Sequence, residues 1–166
     1  KGYRHACRAA ETLCQNIGRA ECYWRAPNSG GKTTGGCAVD VALARGLHSL
    51  GGTSLPPIKT PNVGWILTQS YKQQVDSSQK SLLHWIGDHP HKIAWVQGET
   101  KGYIETVYVS TQACKHGMDE KCSTCSRIVF HCAESPSAVG GRIDWAHADE
   151  IPPEKLWREV RARFTA

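Results

Sequence analysis

Trp24-Arg25-Ala26-Pro27-Asn28-Ser29-Gly30-Gly31-Lys32-Thr33-Thr34 is the stretch around which the rest of the chain is organised. It reads as a phosphate-binding (Walker A) loop, with Ala26 where the strict motif has its first Gly and with Gly31, Lys32 and Thr33 at the required spacing. Gly30 and Gly31 carry no side chain, so the backbone there can curl around a phosphate with its N–H groups pointing inward. The residues that follow would open a helix, whose first N–H groups have no internal partner and favour an anion. Lys32 would reach the β- and γ-phosphates of a nucleotide, and the Thr33 hydroxyl would bind Mg2+. Ala26, Asn28, Ser29, Gly30, Gly31, Lys32, Thr33 and Thr34 are therefore the candidate nucleotide-binding residues. The competing reading is a Gly-rich turn with a solvated lysine.

The flanks favour the loop. Glu21-Cys22-Tyr23-Trp24 is a short apolar and aromatic run of the kind that forms a strand, and Val39, Val41, Ala42 and Leu43 carry a helix that ends near Gly46. Strand, loop, helix is the order this motif requires. Upstream, Tyr3 to Ile17 predicts a helix stopped by Gly18. Downstream, residues 48–62 are rich in Gly, Ser, Thr and Pro and predict a surface loop. Val63 to Thr68 is continuously apolar enough to be a strand covered on both faces. Ser70 can cap a helix that runs to about Ile86 and is broken by Gly87-Asp88-His89-Pro90.

Ile93 to Val96 and Tyr103 to Val109 alternate as strands, with Val107 and Val109 on one face and Thr106, Tyr108 and Ser110 on the other. Arg127 to Cys132 and Ile143 to Glu150 are further strands. Pro152 and Pro153 then suit a helix start, and Leu156, Val160 and Phe164 share one helical face. Helices alternating with apolar strands predict an α/β fold, a mostly parallel sheet of the P-loop NTPase type with helices on both faces. The stretch from Tyr103 to Cys132 is the exception and predicts an antiparallel hairpin insertion.

The 166 residues suit a single domain spanning 1–166, and a hydrophobic content of 40% is enough for a packed core. The chain starts at Lys1 without Met and reads as part of a longer protein, truncated at its C-terminus. Its first twenty residues lack the apolar core of a signal peptide, and no run approaches a membrane span. A net charge of +5 permits a nucleic-acid partner without demanding one.

Asp149 and Glu150 close the last strand. In a nucleotide-hydrolysing domain such a Walker B pair divides the work: Asp149 helps hold Mg2+ opposite the loop threonine, and Glu150 orients or deprotonates the attacking water. Lys32 and Glu150 are thus the catalytic candidates. Ligands of open α/β sheets bind at the carboxyl ends of the strands, where this pair would lie. The competing reading is an acidic turn before a helix, favoured by the helix dipole. His147 could bond near the metal or be a satisfied interior histidine, and Asp144 reads as a surface acid.

Eight cysteines are present, three of them packed with a histidine into Cys114-x-His116-x5-Cys122-x2-Cys125. Without a signal peptide, that clustering favours a reducing compartment and a metal over disulfides. Cys114, His116, Cys122 and Cys125 form a tetrahedral set suited to structural Zn2+, a knuckle that would staple a hairpin insertion at residues 110–127. Free thiols in a polar loop are the alternative. His131 could replace His116, whereas Cys132 shares a face with Ile128 and Phe130 and reads as core.

Taken in order, the loop at 26–33, the strand Val63 to Gln69 with its following helix, the turn Ser135 to Arg142, the strand Ile143 to Glu150 and Leu156-Trp157-Arg158-Glu159 resemble the ATPase domain of tailed-phage terminase large subunits. The resemblance covers about residues 20 to 164. It implies a motor that hydrolyses ATP with Mg2+ in the host bacterial cytoplasm and drives double-stranded viral DNA into a procapsid. It further implies a homo-oligomeric ring on the portal protein, assisted by the small terminase subunit. The family often carries an Arg inside the loop, where this chain has Ser29, with Arg25 just outside. Two other functions fit the motifs: a helicase-like P-loop NTPase, and a zinc-stabilised nucleic-acid-binding module with an inert loop.

Overall fold

The computed structural model describes residues 31–96, 102–114, 122–134 and 141–164. The expected helix over Tyr3 to Ile17, the strand Glu21 to Trp24, the loop residues Ala26, Asn28, Ser29 and Gly30, and His116 lie outside the described residues.

Helix α1 (Lys32–Arg45) is buried from Gly35 through Ala44 and stops at Gly46, whose left-handed φ of 69° lets its N–H turn back to Ala42 and Leu43 carbonyls. A small hairpin, β1 (Ser49–Leu50) with β2 (Thr53–Ser54), leads to strand β3 (Val63–Thr68). Ser70 caps the next helix as its sequence suggests, its hydroxyl accepting from Gln73 N at 3.1 Å. That helix is not uniform: α2 (Tyr71–Gln73) passes into a π-helical segment (Gln74–Gln79) and then α3 (Lys80–Ile86). Strands β4 (His91–Trp95), β5 (Ile104–Val109), β6 (Ser126–Cys132) and β7 (Trp145–Ala148) follow, then helix α4 (Glu154–Phe164).

Among the described residues five strands form one sheet, in the order β4-β5-β6-β3-β7. The β3 strand lies parallel to β6 on one side and to β7 on the other, while β4–β5 and β5–β6 are antiparallel. The sheet is therefore mixed rather than mostly parallel. The physical reason is the insertion, whose strands extend the sheet as a meander instead of standing apart from it.

Both faces of the sheet are covered. On one, Ile66, Val107, Val109, Ile128 and Phe130 pack with Val39, Leu43, Leu82 and Ile86 from α1 and α3. On the other, Trp65, Leu67 and Val129 pack with Val160 of α4. Gly64 leaves its face bare so that the Trp145 ring can lie against it; a methyl there would overlap the indole.

Residues 48–62 are less of a surface loop than their composition suggests. Leu55 is buried, and so is Asn62, whose amide donates to the Leu43 and Lys59 carbonyls and accepts from Trp145 Nε1 at 3.1 Å. One side chain thus ties the end of α1 to the start of β3 and to β7.

His131 is buried against Trp65, ring centroids 4.0 Å apart, six residues along β6 from Cys125. It cannot stand in for His116 beside the cysteines, since six residues of strand span about 20 Å. Its Nε2 has no hydrogen-bond partner among the described residues, and burial pushes its pKa down from 6.5 to about 4. A neutral buried histidine binds fewer protons folded than unfolded, so its contribution is fully present above about pH 6.5 and is lost as pH falls toward 4. Urea unfolding of the wild type is expected to lose about 3 kcal/mol more across that window than His131→Leu; equal slopes would contradict this burial.

Candidate nucleotide and metal sites

The amino end of α1 and the carboxyl end of β7 meet. Gly31 precedes α1 with φ 69°, no side chain among the described residues caps the helix, and no acid occupies its first turn. That end keeps the positive partial charge of the aligned peptides for an external anion. Asp149 follows β7, and its N–H donates to Leu67 O at 3.2 Å, which holds it against the sheet. Thr33 Oγ1 donates to Asp149 Oδ1 at 2.6 Å, across 116 residues of sequence. Lys32 is half-buried one residue before, Thr34 is exposed one residue after, and Glu150 is exposed beside Asp149. The four described loop residues, Gly31, Lys32, Thr33 and Thr34, therefore share one end of the sheet with Asp149 and Glu150.

Two residues that sequence reasoning passed over complete the carboxylate's surroundings. Ser78 Oγ donates to Asp149 Oδ2 at 3.2 Å, and Gln73 Nε2 lies 3.5 Å from the same oxygen. Gln73 Oε1 accepts from Gln69 N at 2.9 Å, which turns the amide's NH2 toward Asp149. Gln73 and Ser78 are five residues apart. An α-helix would put them on different faces; the wider π-helical turn, with its i→i+5 repeat, puts them on one. The segment is held in that form from its other side, where Gln74 Nε2 donates to Ile104 O at 2.7 Å and Gln79 bonds Ile104 N and Gly102 O.

Behind this site, His147 Nδ1 donates to Asp40 Oδ2 at 2.7 Å. His147 is an interior, satisfied histidine. Burial disfavours its charged form, but the Asp40 carboxylate, with Asp149 beyond it, more than offsets this and raises the pKa. Burial likewise raises Asp40, with His147 opposing. Cys37 donates to Ser78 O at 3.5 Å, and burial near Asp40 and Asp149 keeps it a thiol. The donor atoms of Cys37, Asp40 and His147 lie within 4.8 Å of one another and could hold a metal ion. A sequence signal existed: Asp40 is a single acid inside the otherwise apolar run Cys37 to Ala44, and a charge in such a run needs a partner.

A second cluster sits where β5 leaves the sheet and β6 enters it. Cys114 Sγ is 3.5 Å from Cys122 Sγ and 3.1 Å from Cys125 Sγ, and the last two are 2.8 Å apart. Thr111 Oγ1, donating to Thr124 O at 2.6 Å, pins the two arms together. Thiolates around a tetrahedral Zn2+ at about 2.3 Å would sit about 3.8 Å apart, so the edges of this triangle would have to open by about 0.3–1.0 Å to hold one. The bond from Cys125, then that from Thr124, lowers the Cys122 pKa to about 7, while burial raises Cys125. The three sulfurs could hold a metal ion.

If they do, chelation is expected to lower the Tm of the wild type, and Cys122→Ser to remove both the bound metal and the chelator's effect. A Tm indifferent to chelator would leave three free thiols in a loop. No helix among the described residues is long and apolar enough to cross a membrane. No protein-family model, no curated protein and no solved structure matches this chain.

Proposed function

We propose that this chain is a Mg2+-dependent ATPase, the motor domain of a DNA-packaging terminase large subunit. The observation that carries the ATPase reading is the 2.6 Å bond between Thr33 and Asp149. A threonine hydroxyl at an uncapped helix start and a carboxylate at a strand's carboxyl end are the two protein groups such a site offers a nucleotide-bound Mg2+. Gln73 and Ser78 keep that carboxylate oriented.

When bound, Mg2+ neutralises charge on the β- and γ-phosphates. Thr33 would hold it directly and Asp149 through water. Lys32 binds and screens the same phosphates, and the first N–H groups of α1 add fixed positive partial charge. Glu150 accepts a proton from water as the water oxygen bonds to the γ-phosphorus. The bond from that phosphorus to the β–γ bridging oxygen breaks, and ADP leaves with phosphate. The exposure of Glu150 suits a group that must meet water.

The narrower assignment rests on the ordered motif set alone. On it, the substrate track is double-stranded DNA, the working form is a homo-oligomeric ring on a portal protein with a small terminase subunit, and the site of action is the host bacterial cytoplasm. The cysteine triangle supports one addition, a structural Zn2+ on Cys114, Cys122 and Cys125 with His116 of the same motif as the fourth ligand, which would stiffen the β5–β6 connection.

Glu150→Gln is expected to lower Mg2+-dependent hydrolysis about 10²–10⁴-fold while nucleotide still binds, and Lys32→Ala to lose the binding itself. A wild type that binds no nucleotide, or DNA binding indifferent to Lys32 and dependent on the cysteines, would overturn the ATPase reading in favour of a zinc module.

A further inference from the structure

Two side-chain pairs join α1 to β7. Thr33 meets Asp149, and Asp40 meets His147. Asp40 lies seven residues after Thr33, two helical turns along the same face, and His147 lies two residues before Asp149 on the same strand face. The pairs are successive rungs between one helix and one strand.

The second rung is the more deeply seated. Asp40 is 2% exposed and His147 is 18% exposed at its side chain. Position 36 is glycine where α1 crosses the His147 ring, and a methyl there would overlap the imidazole. The helix can therefore settle onto β7 only with the histidine between them, and that histidine is fixed by Asp40. Breaking such a pair would strand a charge in the interior, so it resists sliding of α1 along the strand. The contact is a direct bond. The same nitrogen and oxygen, with Cys37 Sγ, could instead converge on a metal ion, and the test below separates the two.

We propose that Asp40 and His147 are positioning residues that set the separation of Thr33 from Asp149, so that both can engage one nucleotide-bound Mg2+. This rests on the ATPase reading and adds the part of the protein that holds its two metal-binding groups in register. It assigns the pair no contact with nucleotide. A loosened clasp would leave the loop's phosphate grip intact and weaken only what depends on the hydroxyl and carboxylate together.

The test compares ATP binding to the full chain with and without Mg2+. Asp40→Asn and His147→Gln are each expected to weaken the Mg2+-dependent affinity roughly tenfold or more, the size of loss seen when support behind metal ligands is removed. Affinity for Mg2+-free ATP is expected to stay at the wild-type value. The double variant is expected to lose no more than the worse single one, since both remove the same bond. If Asp40→Asn does not fold, Gly36→Ala, which displaces the ring and leaves both charges, reads the same quantity.

Equal loss of both affinities would make the pair merely structural, and no loss of either would remove it from the site; each result overturns the proposal. A wild type that binds no ATP overturns the ATPase reading first, and positioning with it. Zinc retained after replacement of Cys114, Cys122 and Cys125 but lost in Asp40→Asn would replace the clasp by a metal site.

Discussion

The bond from Thr33 to Asp149 depends on one constraint, the parallel run of β7 against β3. Parallel strands end at the same edge of a sheet, and the helix crossing them starts at that edge. Had β7 paired in the opposite sense, Asp149 would lie at the far end of the sheet from α1's first turn. The rest of the packing keeps this edge in order. Trp145 lies against Gly64, Asn62 takes the indole N–H, and Asn62 also holds the last turn of α1. The residues that close the bottom of the sheet thereby fix the angle at which its top is presented.

The π-helical segment serves the same edge from the side. Its buried glutamines bond backbone groups at the start of β5, and its buried Ser78 donates to Asp149. Such a segment is less favourable than a plain helix, so it persists where other bonds demand it. Here the demand comes from both directions, from the meander that widens the sheet and from the carboxylate at its edge. The inserted hairpin is thus coupled to the candidate nucleotide site through one helix. The three cysteines stand in the connection of that hairpin, between the end of β5 and the start of β6, where a metal would stiffen it.

Most elements were legible because local chemistry and burial agreed. Gly46 stops α1, Ser70 starts the next helix, Val107 and Val109 face the core, and Leu156 and Val160 anchor α4. What escaped was set by distant partners. Nothing within residues 70–86 announces a π turn, because Ile104 and Gly102 impose it. The antiparallel β5–β6 pairing was legible, but that β4 also joins antiparallel was not, because period-two alternation reveals a strand and not the direction of its neighbour. Of the candidate site, the threonine and the acid were legible from spacing, while Gln73, Ser78 and the Asp40–His147 pair were not. Each of these is a polar residue whose partner only folding supplies; Asp40, alone in an apolar run, and His147, read as a satisfied interior histidine, hinted at partners without naming them.

On the proposed ATPase reading, Thr33 and Asp149 together receive a nucleotide-bound divalent cation. Mn2+ in place of Mg2+ reads this directly through its electron-spin resonance in the presence of a non-hydrolysable ATP analogue. The account predicts that Mn2+ and nucleotide bind the wild type cooperatively, and that Asp149→Ala abolishes the cooperativity while nucleotide alone still binds. Cooperative binding unchanged in Asp149→Ala, or no bound Mn2+ in the wild type at all, would contradict it.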